Sequence, residues 1–121
     1  MRTLTVDTHA WIEYLEKNEK VKTRIESNPL ETPTIVLTEL VRTLTRKGLL
    51  KDDIGRVISI VKEKSTVLDL DDEKAERAGW ISVKEGLKIA DSIIYSYATP
   101  DKPLLTGDSH FKGKPNVLFL G

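Results

Sequence analysis

Two aspartates directly follow short apolar segments that have the composition of β-strands. Asp7 comes after Leu4–Val6, and Asp108 comes one glycine after Leu104–Thr106. If both segments are parallel strands of one sheet, their carboxyl ends meet at the edge where ligands bind in open α/β sheets. We therefore expect these two carboxylates to lie close together. Plainer roles stay open, because Asp7 could cap a helix that begins at Thr8, and Asp108 could be a turn residue.

Two further acids lie on predicted helices. Glu39 belongs to a predicted helix over residues 34–47, on the side facing away from the apolar stripe. That stripe consists of Leu37, Leu40, Val41 and Leu44. Taken alone, this placement favours an ordinary solvated glutamate. Asp91 opens a predicted helix that ends before Pro100. A carboxylate at a helix start is stabilised by the helix dipole, so a capping role is the simplest interpretation of Asp91.

The four acids would have a definite chemistry if the fold gathered them. Carboxylates in one pocket repel each other and take up protons or cations. Oxygen ligands of this kind suit Mg²⁺ or Mn²⁺. Two such ions about 3.5–4 Å apart can activate a water molecule and stabilise the leaving oxygen of a phosphodiester. Convergence of the four acids would therefore predict metal-dependent phosphodiester hydrolysis.

Strands that alternate with helices must position these residues. The pattern predicts strands over residues 4–6, 66–68, 104–106 and 117–120. It predicts helices from Thr8 onward and over residues 19–27, 34–47, 51–64, 72–84 and 91–99. Hairpin turn signals are absent, which favours an α/β domain with a mostly parallel central sheet flanked by helices. A length of 121 residues fits a single domain, residues 1–121.

Composition excludes several classes of protein. The 19 basic and 19 acidic residues give no net charge, which argues against a basic nucleic-acid coat but permits a local basic patch. The absence of cysteine excludes disulfides, thiolate zinc sites and cysteine nucleophiles. The sequence has neither a signal-peptide core nor an apolar run long enough to span a membrane. We therefore expect a soluble cytoplasmic protein that does not associate with membranes.

Four short motifs carry a resemblance to a known family. They are Val-Asp-Thr at 6–8, Thr-Glu-Leu at 38–40, Ile-Ala-Asp-Ser at 89–92 and Thr-Gly-Asp-Ser-His-Phe at 106–111. Each motif is weak by itself, but their order and spacing across essentially the whole chain are fairly specific. Together they resemble the PIN-domain family and, within it, the VapC-type toxins of toxin–antitoxin pairs.

The resemblance implies a PIN-like three-layer fold and an Mg²⁺- or Mn²⁺-dependent endoribonuclease that works by two-metal hydrolysis. It implies that the catalytic and metal-binding residues are Asp7, Glu39, Asp91 and Asp108. Thr106 matches a hydroxyl position that contacts a metal-bound water or a phosphate, and Thr8 and Ser109 match less certain polar neighbours. The resemblance further implies an RNA substrate, a homodimer and a small VapB-like antitoxin that blocks the site.

Two other functions remain open. One is a catalytically silent PIN-like module that binds RNA or protein. The other is a phosphatase with Asp7 as nucleophile, although His9 stands where such enzymes carry a second aspartate. His9 and His110 both neighbour a candidate acid. We interpret both as surface residues, because two-metal hydrolysis needs no histidine base.

Arg42 and Arg46 follow Glu39 by three and seven residues, on roughly the same helix face. Contacts to RNA phosphates and surface ion pairs with Glu39 are equally compatible with this spacing. The aromatic residues lie mostly on predicted helices, where we expect them in the core or a dimer interface.

Overall fold

The structure, a computed structural model, describes residues 2–121 of the chain. Its strands are β1 Leu4–Val6, β2 Leu30–Pro33, β3 Thr66–Leu68, β4 Leu104–Thr106 and β5 Val117–Phe119. They form one sheet in the order β3-β2-β1-β4-β5, and every pair of neighbours is parallel. The predicted α/β architecture is therefore confirmed, with a sheet that is wholly parallel.

Helices flank this sheet and account for most of the remaining chain. They are α1 Thr8–Leu15, α2 Glu19–Ser27, α3 Thr34–Arg46, α4 Lys51–Lys64, α5 Asp72–Glu85 and α6 Ile89–Tyr95, with a short 3₁₀ helix at Ser109–Phe111. Among residues 2–121, no helix has the length and apolar character needed to cross a membrane.

The strand order reverses next to β1. From β1 the chain adds β2 and then β3 on one side, and afterwards returns to place β4 on the other side. Such a reversal opens a crevice beyond the carboxyl ends of the two strands, where open α/β sheets bind ligands. Val6 pairs with Leu105 in the ladder, so the residues that follow these strands begin side by side.

Buried apolar residues from the strands and helices fill the centre of the molecule. Both strands at the reversal, β1 and β4, are buried along their whole length. Trp11 of α1 is fully buried, and its indole N–H donates to the Thr32 hydroxyl over 3.2 Å. A buried indole N–H needs such a partner, so this bond fixes α1 against β2. The core thereby holds the start of α1, immediately after Asp7, in a defined position.

The strand β2 was not predicted. It has four residues, two of them polar, and it ends at Pro33, which made the segment look like a connection between helices. In the structure β2 pairs with both β1 and β3, and its buried positions are Leu30, Thr32 and Pro33. Burial between two neighbouring strands overrides the weak local preference.

Two helices differ from their predicted form. The buried residues of α3 are Val36, Leu40 and Leu44, whereas Val41 is 46% exposed, so the prediction that Val41 belongs to the core stripe is wrong. A spacing of four residues gives a narrower stripe than predicted. The helix α6 begins at Ile89, with Lys88 at its N-cap, so Asp91 lies within the first turn and does not open the helix.

Candidate active site

Asp7 lies at the N-cap of α1, directly beyond the end of β1. Its Oδ1 atom accepts a hydrogen bond from the Ala10 backbone N–H over 2.8 Å, and the side chain of Thr106 is also hydrogen-bonded to the carboxylate. The residue is only 3% exposed. Burial, assisted by the charges of Asp108 and Asp91, raises the pKa of Asp7 to about 7. Near neutral pH the protonated and ionised forms of this carboxyl group are therefore both populated.

Asp108 approaches from the end of β4. Its backbone N–H donates to the Thr106 hydroxyl oxygen over 3.0 Å, so Thr106 links the two strand-end acids. Asp108 caps the 3₁₀ helix, and its Oδ1 accepts from the His110 backbone N–H over 2.9 Å. The His110 ring also reaches this atom, with Nδ1 2.8 Å away. These contacts fix the orientation of the Asp108 carboxylate.

The remaining two acids, Glu39 and Asp91, are carried by the helices α3 and α6. Glu39 of α3 accepts a hydrogen bond from the Thr8 hydroxyl over 2.7 Å. Asp91, in the first turn of α6, has a raised pKa because it is partly buried and because Asp108 and Glu39 repel its charge. His110 and Lys88 oppose this shift. Crowding of like charges therefore contributes to the raised pKa of both Asp7 and Asp91.

The four predicted acids line one cavity of about 240 Å³. Its other walls are Thr8, His9, Ile12, Thr43 and Ile94. Thr43 follows Glu39 by four residues and Ile94 follows Asp91 by three, so each lies about one helical turn from its acid. Helical spacing from the predicted acids could therefore have identified both as neighbours of the site.

The donor set fits a divalent cation. Asp91, Asp108 and His110 each offer a ligand atom, and these atoms lie within 4.8 Å of one another. Oxygen donors in excess of nitrogen suit Mg²⁺ or Mn²⁺, and a neutral imidazole is acceptable to Mn²⁺. The sequence predicts that His110 lies outside the centre, whereas the structure places its ring at this group. The available signal was its position two residues after Asp108.

The remaining predicted residues lie further from the cavity. Ser109 is exposed at the start of the 3₁₀ helix and does not line the cavity. Arg42 and Arg46 are exposed on α3. Within residues 2–121 neither arginine forms an ion pair with Glu39, whose carboxylate contacts Thr8 instead. The predicted contact of these arginines with RNA stays a prediction.

Gly107 lies in close contact with two side chains of α1. A Cβ atom at this position would lie 2.9 Å from the His9 ring and 3.0 Å from the Glu13 carboxylate. The His9 ring is in turn 3.8 Å from Glu13. The absence of a side chain at Gly107 therefore lets α1 pack against the turn that carries Thr106 and Asp108.

Solved structures with the same fold come from several bacteria. One is a toxin–antitoxin complex from Klebsiella pneumoniae, with a TM-score of 0.79 and 20% identity over 95% of both chains. A DNA-bound VapBC from Salmonella typhimurium gives a TM-score of 0.75 and 22% identity, covering 98% of this chain and 97% of the other. VapBC2 from Rickettsia felis, bound to a promoter DNA fragment, gives 0.74 and 20%, covering 97% and 96%.

At these identities the likeness establishes the fold alone. Comparison with curated proteins finds no significant sequence match. The model of the PIN domain family, however, matches residues 4–116, which is nearly the whole chain and includes all four acids. The chain therefore belongs to the PIN domain family.

Proposed function

We propose that the chain is a divalent-metal-dependent endoribonuclease and the toxin of a VapBC-type pair. The observation that carries the proposal is the convergence of four carboxylates, from four separate segments, around one cavity at the strand-order reversal. Crowded, partly buried carboxylates are unfavourable unless protons or cations compensate them. The similar structures are VapBC and other toxin–antitoxin complexes, which supports the biological role.

The residues of the chain would hold the metal and orient the substrate. Asp7, Glu39, Asp91 and Asp108 would be the ligands, and His110 would offer a further donor atom beside Asp91 and Asp108. Bound Mg²⁺ or Mn²⁺ would supply polarisation of the phosphodiester and activation of the attacking water. Thr106 and Thr8 would preserve the ligand geometry through their hydrogen bonds to Asp7 and Glu39. Such supporting contacts are what keeps metal ligands in register.

Cleavage of single-stranded RNA with and without metal tests the proposal. We expect activity with Mg²⁺ or Mn²⁺, none in excess EDTA, and products with 5′-phosphate and 3′-hydroxyl ends, because water is the nucleophile. Asp7→Asn should abolish cleavage while preserving the bond from Ala10, since asparagine also caps helices. The matched control is Asp71→Asn, which alters an exposed aspartate at the N-cap of α5.

Full cleavage by the Asp7→Asn variant, or in EDTA, would contradict the proposal. A metal-induced rise in melting temperature without any cleavage would instead indicate a silent RNA- or protein-binding module. A phosphoenzyme trapped at Asp7 would indicate the phosphatase.

The proposal includes two protein partners. A VapB-like antitoxin would cover the acidic cavity. Adding this antitoxin should inhibit cleavage, and the antitoxin should co-elute with the chain. A second copy of the chain would cover the apolar surface of α5, where Trp80 is 75% and Val83 83% exposed. These residues lie three apart on one helix face. Light scattering should give a dimer for the wild type and a monomer for Trp80→Lys; a monomeric wild type would contradict the homodimer.

A further inference from the structure

A second cavity lies at the carboxyl end of β5, the strand beside β4. Phe119 is the ladder partner of Thr106, and the Leu120 backbone N–H donates to the Thr106 carbonyl over 2.8 Å. Paired residues of parallel strands project from the same face of a sheet, and neighbouring strands are about 4.8 Å apart. The Phe119 ring therefore projects from the same face as the Thr106 hydroxyl, one strand spacing away from it.

The walls of this cavity are basic and aromatic. It has a volume of about 370 Å³ and is lined by Lys20, Thr23 and Arg24 of α2 together with residues 119–121. Lys20 and Arg24 are exposed, lie one helical turn apart, and have no carboxylate within 4.0 Å in the described part of the chain. A third cation, Lys112 Nζ, lies 5.8 Å from the centroid of the Phe119 ring.

The charge of this second cavity is opposite to that of the first. The acidic cavity repels phosphate groups, so a polyanionic substrate needs cations close to that cavity. Lysine and arginine neutralise phosphates. The Phe119 ring packs against Gly121 and is partly exposed, and an exposed aromatic face stacks on a base of any identity. Adjacent phosphates and bases of a single strand could thus be held while the neighbouring phosphodiester lies at the acids.

We propose that Lys20, Arg24, Lys112 and Phe119, here called the Phe119 patch, bind the nucleotides of single-stranded RNA that adjoin the scissile phosphate. This inference rests on the proposed function, because it assigns the substrate path of the same site. The alternative occupant is an acidic segment of a protein partner. Such a segment would bind the three cations. It would gain little from the Phe119 ring, which projects from the same face of the sheet as the Thr106 hydroxyl.

Variants of α2 separate the Phe119 patch from the general charge of the protein. Arg24→Ala removes one positive charge from the patch, and Lys22→Ala removes one from the same helix. Lys22 lines a different cavity with Tyr14 and Glu26, so it is the matched control. For an oligonucleotide substrate we expect kcat/KM to fall several-fold for Arg24→Ala and about tenfold or more for Lys20→Ala/Arg24→Ala, mainly through KM. Lys22→Ala should behave as the wild type.

Two further readouts identify the contacts. The double variant should reduce the salt dependence of RNA binding by a slope of about 1.4, the value for two phosphate contacts on a single strand. Phe119→Leu, which retains an apolar side chain, should weaken oligonucleotide binding several-fold. Hydrolysis of bis-p-nitrophenyl phosphate, which has no neighbouring nucleotides, should be unchanged in all of these variants. Equal losses for Arg24→Ala and Lys22→Ala would overturn the inference.

Direct binding distinguishes failure of the Phe119 patch from failure of the nuclease proposal. Fluorescence anisotropy with a labelled oligonucleotide measures binding without cleavage. If the wild type binds RNA but never cleaves it, and the double variant loses binding, the proposed role of the Phe119 patch is supported and the nuclease proposal is rejected. Unchanged RNA binding in the double variant, with loss of binding to a polyglutamate peptide, would overturn the inference in favour of an acidic protein partner.

Discussion

Asp7 and Asp71 perform the same local task in very different surroundings. Each is the N-cap of a helix, with φ and ψ of −88° and 176° for Asp7 and −85° and 170° for Asp71. Each accepts a 2.8 Å hydrogen bond from the backbone N–H three residues ahead. Nevertheless the pKa of Asp7 is raised to about 7, whereas that of Asp71 is lowered. The capping motif therefore does not determine the chemistry of the carboxylate.

The surroundings account for this difference. Asp7 is buried at the reversal of the sheet, and its charged neighbours are other acids. Asp71 is exposed, is hydrogen-bonded to Lys74, and lies near the charge of Arg77. A buried carboxylate among acids carries an electrostatic cost that an exposed one among cations does not. An electrostatic cost of this kind is typical of functional sites. The surroundings of Asp7, and not its capping role, therefore indicate a functional carboxylate.

Neutralising each aspartate in turn should give the largest contrast. At about pH 8, without metal, Asp7→Asn should raise the free energy of unfolding by up to a few kcal/mol, because each unit of pKa shift corresponds to about 1.4 kcal/mol. Asparagine preserves the cap and removes the buried charge. Asp71→Asn should be neutral or slightly destabilising. Urea denaturation of both variants and the wild type measures these differences.

Cleavage activity should rank the two variants in the opposite order from stability. Asp7→Asn should be the more stable protein and the inactive one, whereas Asp71→Asn should keep wild-type cleavage. If Asp7→Asn destabilised the protein, the electrostatic cost that we assign to Asp7 would be wrong, even if cleavage were lost.

The two strand-end acids could be placed from sequence, and the two helix acids could not. Asp7 and Asp108 follow recognisable strands, and the rule for parallel sheets brings such residues to one edge. Glu39 meets Thr8 across 31 positions of sequence, through a contact that depends on how α3 packs against α1. Its helical position alone favoured a solvated glutamate, and only the family motifs indicated otherwise.

Other features depend on elements that local preference hides. β2 was missed because a short, half-polar segment ending in proline has little strand character, and its burial comes from its two neighbours. The Phe119 patch joins α2 to β5, almost one hundred residues apart. No spacing rule connects them, because the contact is set by the order of the strands. Long-range packing is what sequence patterns leave undetermined.

The pH dependence of stability, with and without metal, gives the next largest effect. In the native state Asp7 keeps its proton up to about pH 7, whereas the unfolded chain loses it near pH 4, so the native state binds more protons between these values. Stability of the metal-free protein should therefore decline as pH rises through this window. The raised pKa of Asp91 acts in the same direction.

Metal should reverse this trend. Cations bind the ionised acids, so Mn²⁺ at about one hundred times its Kd should stabilise the protein by about 2.7 kcal/mol at pH 8 and by much less at about pH 5.5. Thermal denaturation at both pH values measures the effect, with Asp7→Asn as the control that should respond weakly. Equal stabilisation by Mn²⁺ at both pH values would place the metal away from Asp7.

The smallest expected effect tests the one hydroxyl that moderates the pKa of Asp7. The hydrogen bond with Thr106 lowers this pKa, and Thr106→Val removes it while keeping the shape of the side chain. We expect a further upward shift of the Asp7 pKa and a loss of about 0.5–1.5 kcal/mol in stability near pH 8. Thr5→Val is the matched control, because Thr5 is equally buried on the adjacent strand and its hydroxyl contacts the Lys102 carbonyl. Titration of the carboxyl carbons by NMR should show the shift only for Thr106→Val; the same shift in both variants would mean that packing, and not this hydrogen bond, sets the pKa of Asp7.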